Sequence, residues 1–338
     1  MRGGSPARKK RRADRLEGKP DLRGLRRNPR GLRRLRGGGW PGQGPRKHFL
    51  VEIVRSRPLP PSRRKREDLE GPGGKMKVAA IQLDVKIGQG DFNLERAEEM
   101  ICLAAKGGAE IIALPELWHS GYDLERAGAH AAREEAILDE LSLLAQKHRL
   151  FLYAGSLLRQ EKGGIANSSS LIGPDGKIVA HYEKLHLFRL MDEDKYLREG
   201  RSPVLADSPW GKIGMAICYD LRFPELFRFY AQSGAKIVVI PAEWPAARIE
   251  HWKILIRARA IENQLYILAV NRCGKSGETL FGGFSALIDP WGETVAELKE
   301  EEGLYITELE ISRIEEARSK IPILSDRRRD LRLFDSFS

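Results

Sequence analysis

GAEIIALPELW (residues 108–118) and GAKIVVIPAEW (residues 234–244) match in length and in pattern, and each contains a short apolar run of strand length. A second apolar strand lies upstream of each copy, ending in IQLD (residues 81–84) and ICYD (residues 217–220) respectively. Both copies therefore have the order strand, helix, strand, which is the unit of a layered α/β core. Two such halves that face each other sheet to sheet predict a four-layer α-β-β-α sandwich. Chance similarity between two buried strands is the alternative.

The remainder of the chain continues the alternation of strand and helix patterns. It predicts strands at KVAAIQLD (77–84), AEIIALPEL (109–117) and FLYAGSLL (151–158), helices over about 93–106, 133–148 and 246–263, and hairpins around PDGK (174–177) and DPWG (289–292). Asp91 or Asn93 is the predicted cap of the first helix.

The first 75 residues differ in composition from the rest. They contain 24 Lys+Arg and 7 Asp+Glu, a net charge of +17, so residues 76–338 carry −6 of the formal net charge of +11. Gly and Pro are frequent in this segment and its apolar residues follow no period, so it cannot bury enough surface to offset its ordering entropy. We expect a basic, disordered extension over 1–75 and one large α/β domain over 76–338.

Three interpretations of the extension compete. It is a nucleic-acid-binding arm, because RKKRR (8–12) and RRKR (63–66) would attract phosphates, or an Arg-rich targeting peptide, or the product of a translation start placed too far upstream. A buried-strand pattern follows Met76 directly, which favours Met76 as the true first residue. Peptides upstream of Met76, found by mass spectrometry of the protein from its own cells, would contradict this interpretation.

Composition excludes several classes of protein. No apolar run approaches the roughly 18 residues of a membrane span, and the N-terminus has no apolar h-region of a secretory signal. The three cysteines, Cys102, Cys218 and Cys273, are odd in number and lack CxxC spacing, so neither a disulfide scaffold nor a zinc site is expected. A reducing, cytoplasmic location fits best. The mild acidity of 76–338 gives no electrostatic reason for a nucleic-acid partner.

Three residues in or next to predicted strands have side chains that are suited to catalysis. Cys218 lies at a strand-to-helix junction, where unsatisfied amide donors favour the thiolate. Glu116 ends another buried strand, where partial withdrawal from water suits a carboxylate to general-base catalysis. Lys184 lies in YEKLHLF, a strand with alternating polar and apolar residues. Taken singly, each is explained by packing or by solvation.

Taken together, LPELW, YEKLHLF and ICYDLRFPE resemble the three signature blocks of the nitrilase superfamily of carbon–nitrogen hydrolases. The resemblance extends over essentially all of 76–338. It implies the four-layer nitrilase-type sandwich, a catalytic triad of Glu116, Lys184 and Cys218, and no metal or organic cofactor. A second glutamate of the family's site lies seven residues before a glycine, which corresponds to Glu193 and not to Glu199.

The roles that this resemblance implies agree with amide chemistry. Glu116 takes the thiol proton of Cys218, and the sulfur attacks the carbonyl carbon of a small linear amide. Lys184 and the backbone N–H of Tyr219 stabilise the oxyanion. Glu193 holds the lysine or the substrate nitrogen. Ammonia leaves and water cleaves the resulting thioester.

The substrate is suggested by the residues around the nucleophile. Nitrilases proper carry Trp-Glu after the cysteine, whereas Tyr219-Asp220 follows here, which points to amide-hydrolysing branches. HLFRLMDEDKYLREG, GYDL and PAEWPAARIEHWK look most similar to ω-amidase-type proteins, which deamidate 2-oxoglutaramate or related 2-oxo acid amides. A substrate carboxylate then requires a cation at the pocket mouth, for which Arg189 and Arg248 are the candidates.

Further residues are placed by their positions beside these blocks. Trp118, Phe188 and Trp244 are candidates for the pocket mouth, and core packing is their alternative. Arg222 and Glu225 are expected to anchor the helix after the nucleophile through ion pairing. The resemblance also implies a homodimer or a higher homo-oligomer joined through helices beside the site.

Two other functions remain open at this level. An N-carbamoyl-amine hydrolase would use the same four residues and release carbon dioxide as well as ammonia. A non-catalytic binding protein with a nucleic-acid-binding tail would be marked by loss of a triad residue, and none is lost.

Overall fold

The computed structural model describes residues 50–53, 74–328 and 330, and every structural statement below concerns these residues. The strands are β1 (Leu50–Ile53), β2 (Lys75–Gln82), β3 (Ile111–Ala113), β4 (Phe151–Tyr153), β5 (Leu157–Glu161), β6 (Gly164–Ile172), β7 (Ile178–Glu183), β8 (Leu205–Ala206), β9 (Lys212–Met215), β10 (Ala235–Ala242), β11 (Tyr266–Asn271), β12 (Cys273–Ser276), β13 (Thr279–Gly282), β14 (Ala286–Ile288), β15 (Thr294–Glu297) and β16 (Gly303–Glu310). The helices are α1 (Gly90–Lys106), α2 (Ala127–Ala131), α3 (Glu134–His148), α4 (Glu193–Tyr196), α5 (Pro224–Gln232), α6 (Ile249–Asn263), α7 (Ser312–Lys320) and α8 (Ile323–Asp326). Within this part of the chain, no helix has both the length and the apolar character of a membrane span.

The strands form two large sheets, each built on one copy of the duplicated stretch. The first sheet has the order β1-β16-β2-β3-β4-β6-β5, with β7 paired to β6, and the second has the order β15-β14-β11-β10-β9-β8. Strands β2, β3 and β4 run parallel, with Val78 opposite Ile111, and β9, β10 and β11 do the same. The predicted strand–helix–strand units are therefore β2-α1-β3 and β9-α5-β10.

Alternating side chains of β2 show how the layers stack. Val78 and Ala80 are buried in the core shared with the second sheet, whereas Ala79 and Ile81 pack with residues of α1 and α3. On the far side, Phe227 of α5 and residues of α6 bury their apolar faces against the second sheet. Burial of each large apolar side chain contributes about 1.5–3 kcal/mol. The predicted four-layer α-β-β-α sandwich is confirmed.

The predicted strand at FLYAGSLL is interrupted in the structure. Residues 154–156 leave the sheet and separate β4 from β5. At their centre, Gly155 has φ +66°, and a Cβ atom there would lie 2.1 Å from the carbonyl oxygen of Pro115. Only glycine permits this approach. The bend therefore brings the chain against the loop that carries Glu116.

The first helix also begins differently from the prediction. It starts at Gly90 with Gln89 as its N-cap residue, so neither Asp91 nor Asn93 is the cap. The amide of Asn93 instead bonds the backbone of Lys86 and donates to the carbonyl oxygen of His119. Asn93 is buried inside the first turn, where it fixes two loops.

The predicted extension over 1–75 lies largely outside the described residues. The basic runs, on which the interpretations as a nucleic-acid arm or a targeting peptide depend, lie outside the described residues. Within it, Leu50–Ile53 form β1, which pairs in parallel with β16, although no regular structure was expected for this stretch. The sequence LVEI contains two β-branched residues, and the edge of β16 offers unpaired backbone groups.

Candidate active site

The catalytic residues predicted from sequence lie at strand ends that meet between the two sheets. Glu116 follows β3, Lys184 follows β7 and Cys218 follows β9. The ammonium of Lys184 donates to Oε1 of Glu116 at 2.8 Å and to Oε1 of Glu193 at 2.8 Å. All four side chains are buried. The Cys218 thiol lies close enough to Glu116, Lys184 and Glu193 for their charges to shift its pKa. An acid, an ammonium and a thiol thus converge as predicted.

The position of Glu116 is fixed by backbone geometry and by several donors. The next residue, Leu117, has φ +39°, and its N–H donates to Oγ of Ser156 at 3.0 Å. Oε2 of Glu116 accepts the backbone N–H of Glu243 at 2.8 Å, and Oε1 accepts Nδ2 of Asn167 at 2.9 Å. A left-handed, non-glycine residue beside a multiply bonded carboxylate is typical of a functional site.

Cys218 lies in a second strained turn. It has φ +44° and begins a single 3-10 turn, Cys218–Arg222. The buried carboxylate of Asp220 accepts the backbone N–H of Ile217 at 2.9 Å and the hydroxyl of Tyr182 at 2.7 Å. Asp220 also accepts the backbone N–H of His186 at 3.0 Å and bonds its ring at 2.8 Å, so this histidine is a hydrogen-bonding residue.

Glu193, the glutamate that the count from the glycine selects, lies beside Lys184. It is the first residue of α4, and its Oε2 accepts the backbone N–H of Phe188 at 2.6 Å. The hydroxyl of Tyr122 donates to Oε1 of Glu193 at 3.1 Å and contacts Glu116 at 3.3 Å. Glu199, the rejected candidate, is exposed.

The electrostatics of the site differ from the sequence expectation in one respect. Burial opposes the charge of Lys184, but the carboxylates of Glu116 and Glu193 raise its pKa above the ordinary lysine value. Burial, followed by the charge of Glu116, raises the pKa of the Cys218 thiol well above its usual value, and Lys184 lowers it by less. The predicted thiolate is therefore wrong for the resting protein, because burial and the carboxylate outweigh the ammonium. Burial also raises the pKa of Glu193 against the charge of Lys184.

A small cavity opens above the thiol. Its lining residues are Phe188, Cys218, Tyr219, Arg222, Glu243, Trp244, Pro245 and Arg248. Phe188, Trp244 and Arg248, the candidates for the pocket mouth, therefore line this cavity together with Tyr219. The guanidinium of Arg222 lies 4.7 Å from the centre of the Trp244 ring, and that of Arg248 lies 5.6 Å from the centre of Phe188. The aromatic rings hold both cations at the cavity.

Three predictions about surrounding residues are corrected. Trp118 is fully buried in the core of the first sheet with its indole N–H bonded to the carbonyl of Ala154, so it does not line the cavity. Arg189 is exposed and its nearest carboxylate is Asp194 at 3.9 Å. Arg222, expected to form an anchoring ion pair, instead lines the cavity, because the 3-10 turn returns it to the side of Cys218.

Sequence reasoning missed Tyr122, Asn167 and Glu243. Tyr122 lies in the GYDL segment, which resembles ω-amidase-type proteins but was assigned no role, and Asn167 lies in a strand without a recognisable motif. Only the folded structure brings the two to the carboxylates. Glu243 had a signal in the duplication, because it lies near the end of the second copy, one position beyond the place that Glu116 occupies in the first.

Comparison with known proteins agrees with this geometry. The Carbon-nitrogen hydrolase family model matches residues 77–319. The chain is 37% identical over 258 residues to the 2-oxoglutaramate amidase of Bacillus subtilis (strain 168), covering 76% of this chain and 99% of that protein.

Two solved structures of the same class have a similar fold. Saccharomyces cerevisiae Nit3, a member of branch 10 of the nitrilase superfamily, has a TM-score of 0.70 and 30% identity, covering 75% of this chain and 97% of that chain. A mutant amidase from Nesterenkonia sp. AN1, with the acetamide moiety of fluoroacetamide covalently added at the active-site cysteine, has a TM-score of 0.69 and 26% identity, covering 76% of this chain and 95% of that chain. The protein thus belongs to the carbon–nitrogen hydrolase family, within the nitrilase superfamily that its sequence resembles.

Proposed function

We propose that this carbon–nitrogen hydrolase is an ω-amidase that converts 2-oxoglutaramate, or a closely similar 2-oxo acid amide, to the 2-oxo acid and ammonia. The observation that carries the proposal is the pair of arginines, Arg222 and Arg248, in the cavity of Cys218. Neither forms an ion pair with a carboxylate of the described residues. A substrate with an amide at one end and a carboxylate at the other fits this arrangement. The name of the Bacillus subtilis relative supports the same substrate.

The first half of the reaction is the formation of a thioester. Because the Cys218 thiol is protonated at rest, Glu116 must remove its proton as the sulfur attacks the amide carbon. The ammonium of Lys184 and the backbone N–H of Tyr219 stabilise the negative oxygen of the tetrahedral intermediate. Glu116 returns the proton to nitrogen, the C–N bond breaks and ammonia leaves.

The second half uses the same groups. Glu116 accepts a proton from water as the water oxygen attacks the thioester carbon, and the proton then returns to the departing sulfur. Lys184 stays charged throughout, because its raised pKa holds the proton on the ammonium. Glu193 and Asn167 keep that ammonium and Glu116 at fixed separation.

The role of Cys218 as nucleophile is supported by the related amidase with a covalent adduct at its active-site cysteine. We expect Cys218→Ala to lower ammonia release from 2-oxoglutaramate by at least about 10³-fold. Cys102→Ala is the matched control, since Cys102 lies in α1, outside the cavity. Mass spectrometry should detect a thioester only in proteins that retain Cys218. Full activity of Cys218→Ala would contradict the proposal.

The same assay separates the N-carbamoyl-amine alternative. Release of carbon dioxide with ammonia from N-carbamoyl substrates, and no ammonia from 2-oxoglutaramate, would replace the proposed substrate while leaving the reaction class unchanged.

We propose in addition a cytoplasmic homodimer. All three cysteines are free, which suits a reducing compartment. Phe229 of α5 and Ile254 and Ile261 of α6 are exposed apolar residues, which supports self-association through these helices. Light scattering after size exclusion tests the dimer, and cell fractionation tests the location.

A further inference from the structure

Glu243 is a buried carboxyl group in the cavity wall that the proposed mechanism leaves unused. It follows β10 and is 1% exposed. Glu243 is a lining residue of the same cavity as Cys218, Arg222 and Arg248. A buried carboxyl group beside a catalytic thiol requires a physical explanation, because its burial without full hydrogen bonding is unfavourable.

The two oxygens of Glu243 differ in their surroundings. Oε2 accepts Nη1 of Arg272 at 3.2 Å, and Arg272 is itself fully buried. Oε1 is buried and has no hydrogen-bond partner among the described residues. The backbone N–H of Glu243 is bonded to Oε2 of Glu116, so the residue is fixed next to the catalytic base. One oxygen is thus held by the protein and the other remains for a ligand.

We propose that Glu243 is a substrate-binding residue whose Oε1 donates a hydrogen bond to the 2-oxo oxygen of the substrate. The inference rests on the proposed function. In a 2-oxo acid amide, the 2-oxo group adjoins the carboxylate, and the cavity that contains Glu243 also contains the two arginines. A ketone oxygen only accepts hydrogen bonds, so the partner for it must carry a hydrogen.

The environment of Glu243 keeps that hydrogen on the carboxyl group. Burial raises its pKa to about 8, Arg272 opposes this and the nearby charge of Glu116 adds to it. The charged and titratable groups that face it are Arg272, Glu116, Lys184, Tyr122, Cys218, Tyr219, Arg222 and Arg248. Since Oε2 accepts from Arg272, the hydrogen lies on Oε1 in the neutral form.

A neutral carboxyl group also suits an anionic substrate. Glu116 and Glu193 already place two carboxylates beside Lys184. A third negative charge in the same small cavity would repel the substrate carboxylate, whereas a neutral donor does not. Selectivity for the 2-oxo group should therefore be present at neutral pH and decrease as Glu243 loses its proton.

The test compares two substrates that differ only in the 2-oxo group, 2-oxoglutaramate and glutaramate. For the wild-type protein we expect kcat/KM to favour 2-oxoglutaramate about 10- to 50-fold at pH 6.5, and this preference to fall toward unity at pH 9.5. Glu243→Gln keeps a donor of the same shape that does not titrate. Its preference should stay within about 3-fold of the neutral-pH wild-type value at both pH values.

Two controls make the comparison specific. Glu110→Gln, an exposed change at the start of β3, should behave as wild type. Any pH dependence of the substrates themselves cancels in the ratio of wild-type to Glu243→Gln preference. Glu243→Leu should lose the preference at every pH. Glu243→Leu leaves the charge of Arg272 buried without its carboxylate, which opposes folding. If this variant does not fold, the wild-type and Glu243→Gln profiles suffice for the test.

The outcomes distinguish this inference from the proposed function. If the wild-type protein hydrolyses neither substrate, the proposed function fails, and the role of Glu243 fails with it. If both are hydrolysed and the wild-type preference is flat with pH, or Glu243→Gln lowers kcat for both substrates equally, only the role of Glu243 is overturned. Equal losses would place Glu243 at the reacting amide instead.

Discussion

Glu116 and Glu243 follow β3 and β10, at the ninth and tenth positions of the two matching stretches, but use their carboxyl groups differently. Glu116, at the end of β3, bonds Lys184, Asn167 and the backbone N–H of Glu243. Glu243, at the end of β10, bonds only Arg272 and leaves Oε1 without a partner among the described residues. A fully bonded carboxylate is held in place for proton transfer, whereas an incompletely bonded one has capacity for a ligand. One structural unit, used twice, thus supplies the proposed catalytic base and the carboxyl group that is proposed to recognise the substrate.

The largest expected effect falls on the β3 side of this comparison. Glu116→Gln removes the proton acceptor while preserving shape, and we expect kcat/KM for amide hydrolysis to fall about 10³-fold. Steady-state ammonia release measures this loss, with Glu110→Gln as the exposed control. Circular dichroism checks the fold. If Glu116→Gln retained more than about a tenth of the activity, another group would have to act as the base.

A smaller effect, on stability, is expected on the β10 side. The pKa of Glu243 is raised to about 8 in the folded protein, so its protonated form stabilises the fold. This contribution is fully present below the ordinary glutamate pKa and is lost as the pH rises through about 8. Relative to wild type, Glu243→Gln should therefore gain about 2–4 kcal/mol in free energy of unfolding between pH 4.5 and pH 8.5.

Urea unfolding of both proteins at the two pH values measures this difference. A constant difference between the two proteins would indicate that Glu243 ionises normally beside Arg272. That result would also remove the electrostatic basis for a neutral hydrogen-bond donor in the cavity.

The smallest effect concerns the bonds that surround the β3 carboxylate. Tyr122→Phe removes a hydroxyl that contacts Glu116 and Glu193, and we expect kcat to fall about 5-fold with little change in KM. Tyr305→Phe is the matched control, because the Tyr305 hydroxyl is buried without a described partner. Equal effects of the two substitutions would show that Tyr122 contributes through packing alone.

Much of the fold followed from local pattern. The duplicated strand–helix–strand units, the hairpin of β6 and β7 and the helix of residues 249–263 all depend on periodicity over short stretches. The break at Gly155 was not predictable, because it results from contact with Pro115 in a distant segment. Likewise, Asn93 was misassigned as a cap because its amide is used by loops that pattern alone does not locate.

For the site as well, the sequence indicated some features correctly and others not. Glu116, Lys184 and Cys218 were singled out by their motifs and Glu193 by its spacing from a glycine, and the structure brings all four together. The protonation of the thiol was predicted wrongly, because it depends on summed burial and charge rather than on local sequence.

The sequence likewise did not determine which of the nearby arginines reaches the cavity. Arg189 directly follows one signature block and Arg222 lies inside another, and only the turn of the backbone decides which of them reaches the cavity. A positive charge near a motif in sequence therefore identifies a candidate, while the fold selects among candidates.

The carboxylate of Asp220 couples two segments that the chain itself keeps far apart. It is bonded to the backbone N–H before the nucleophile and to Tyr182 and His186, the residues on either side of Lys184. If the turn that contains Cys218 moves, these hydrogen bonds therefore move the segment around Lys184 with it. The spacing between the proposed nucleophile and Lys184 is therefore set by the fold, and we expect an arriving amide to meet an electrostatic environment that needs no rearrangement.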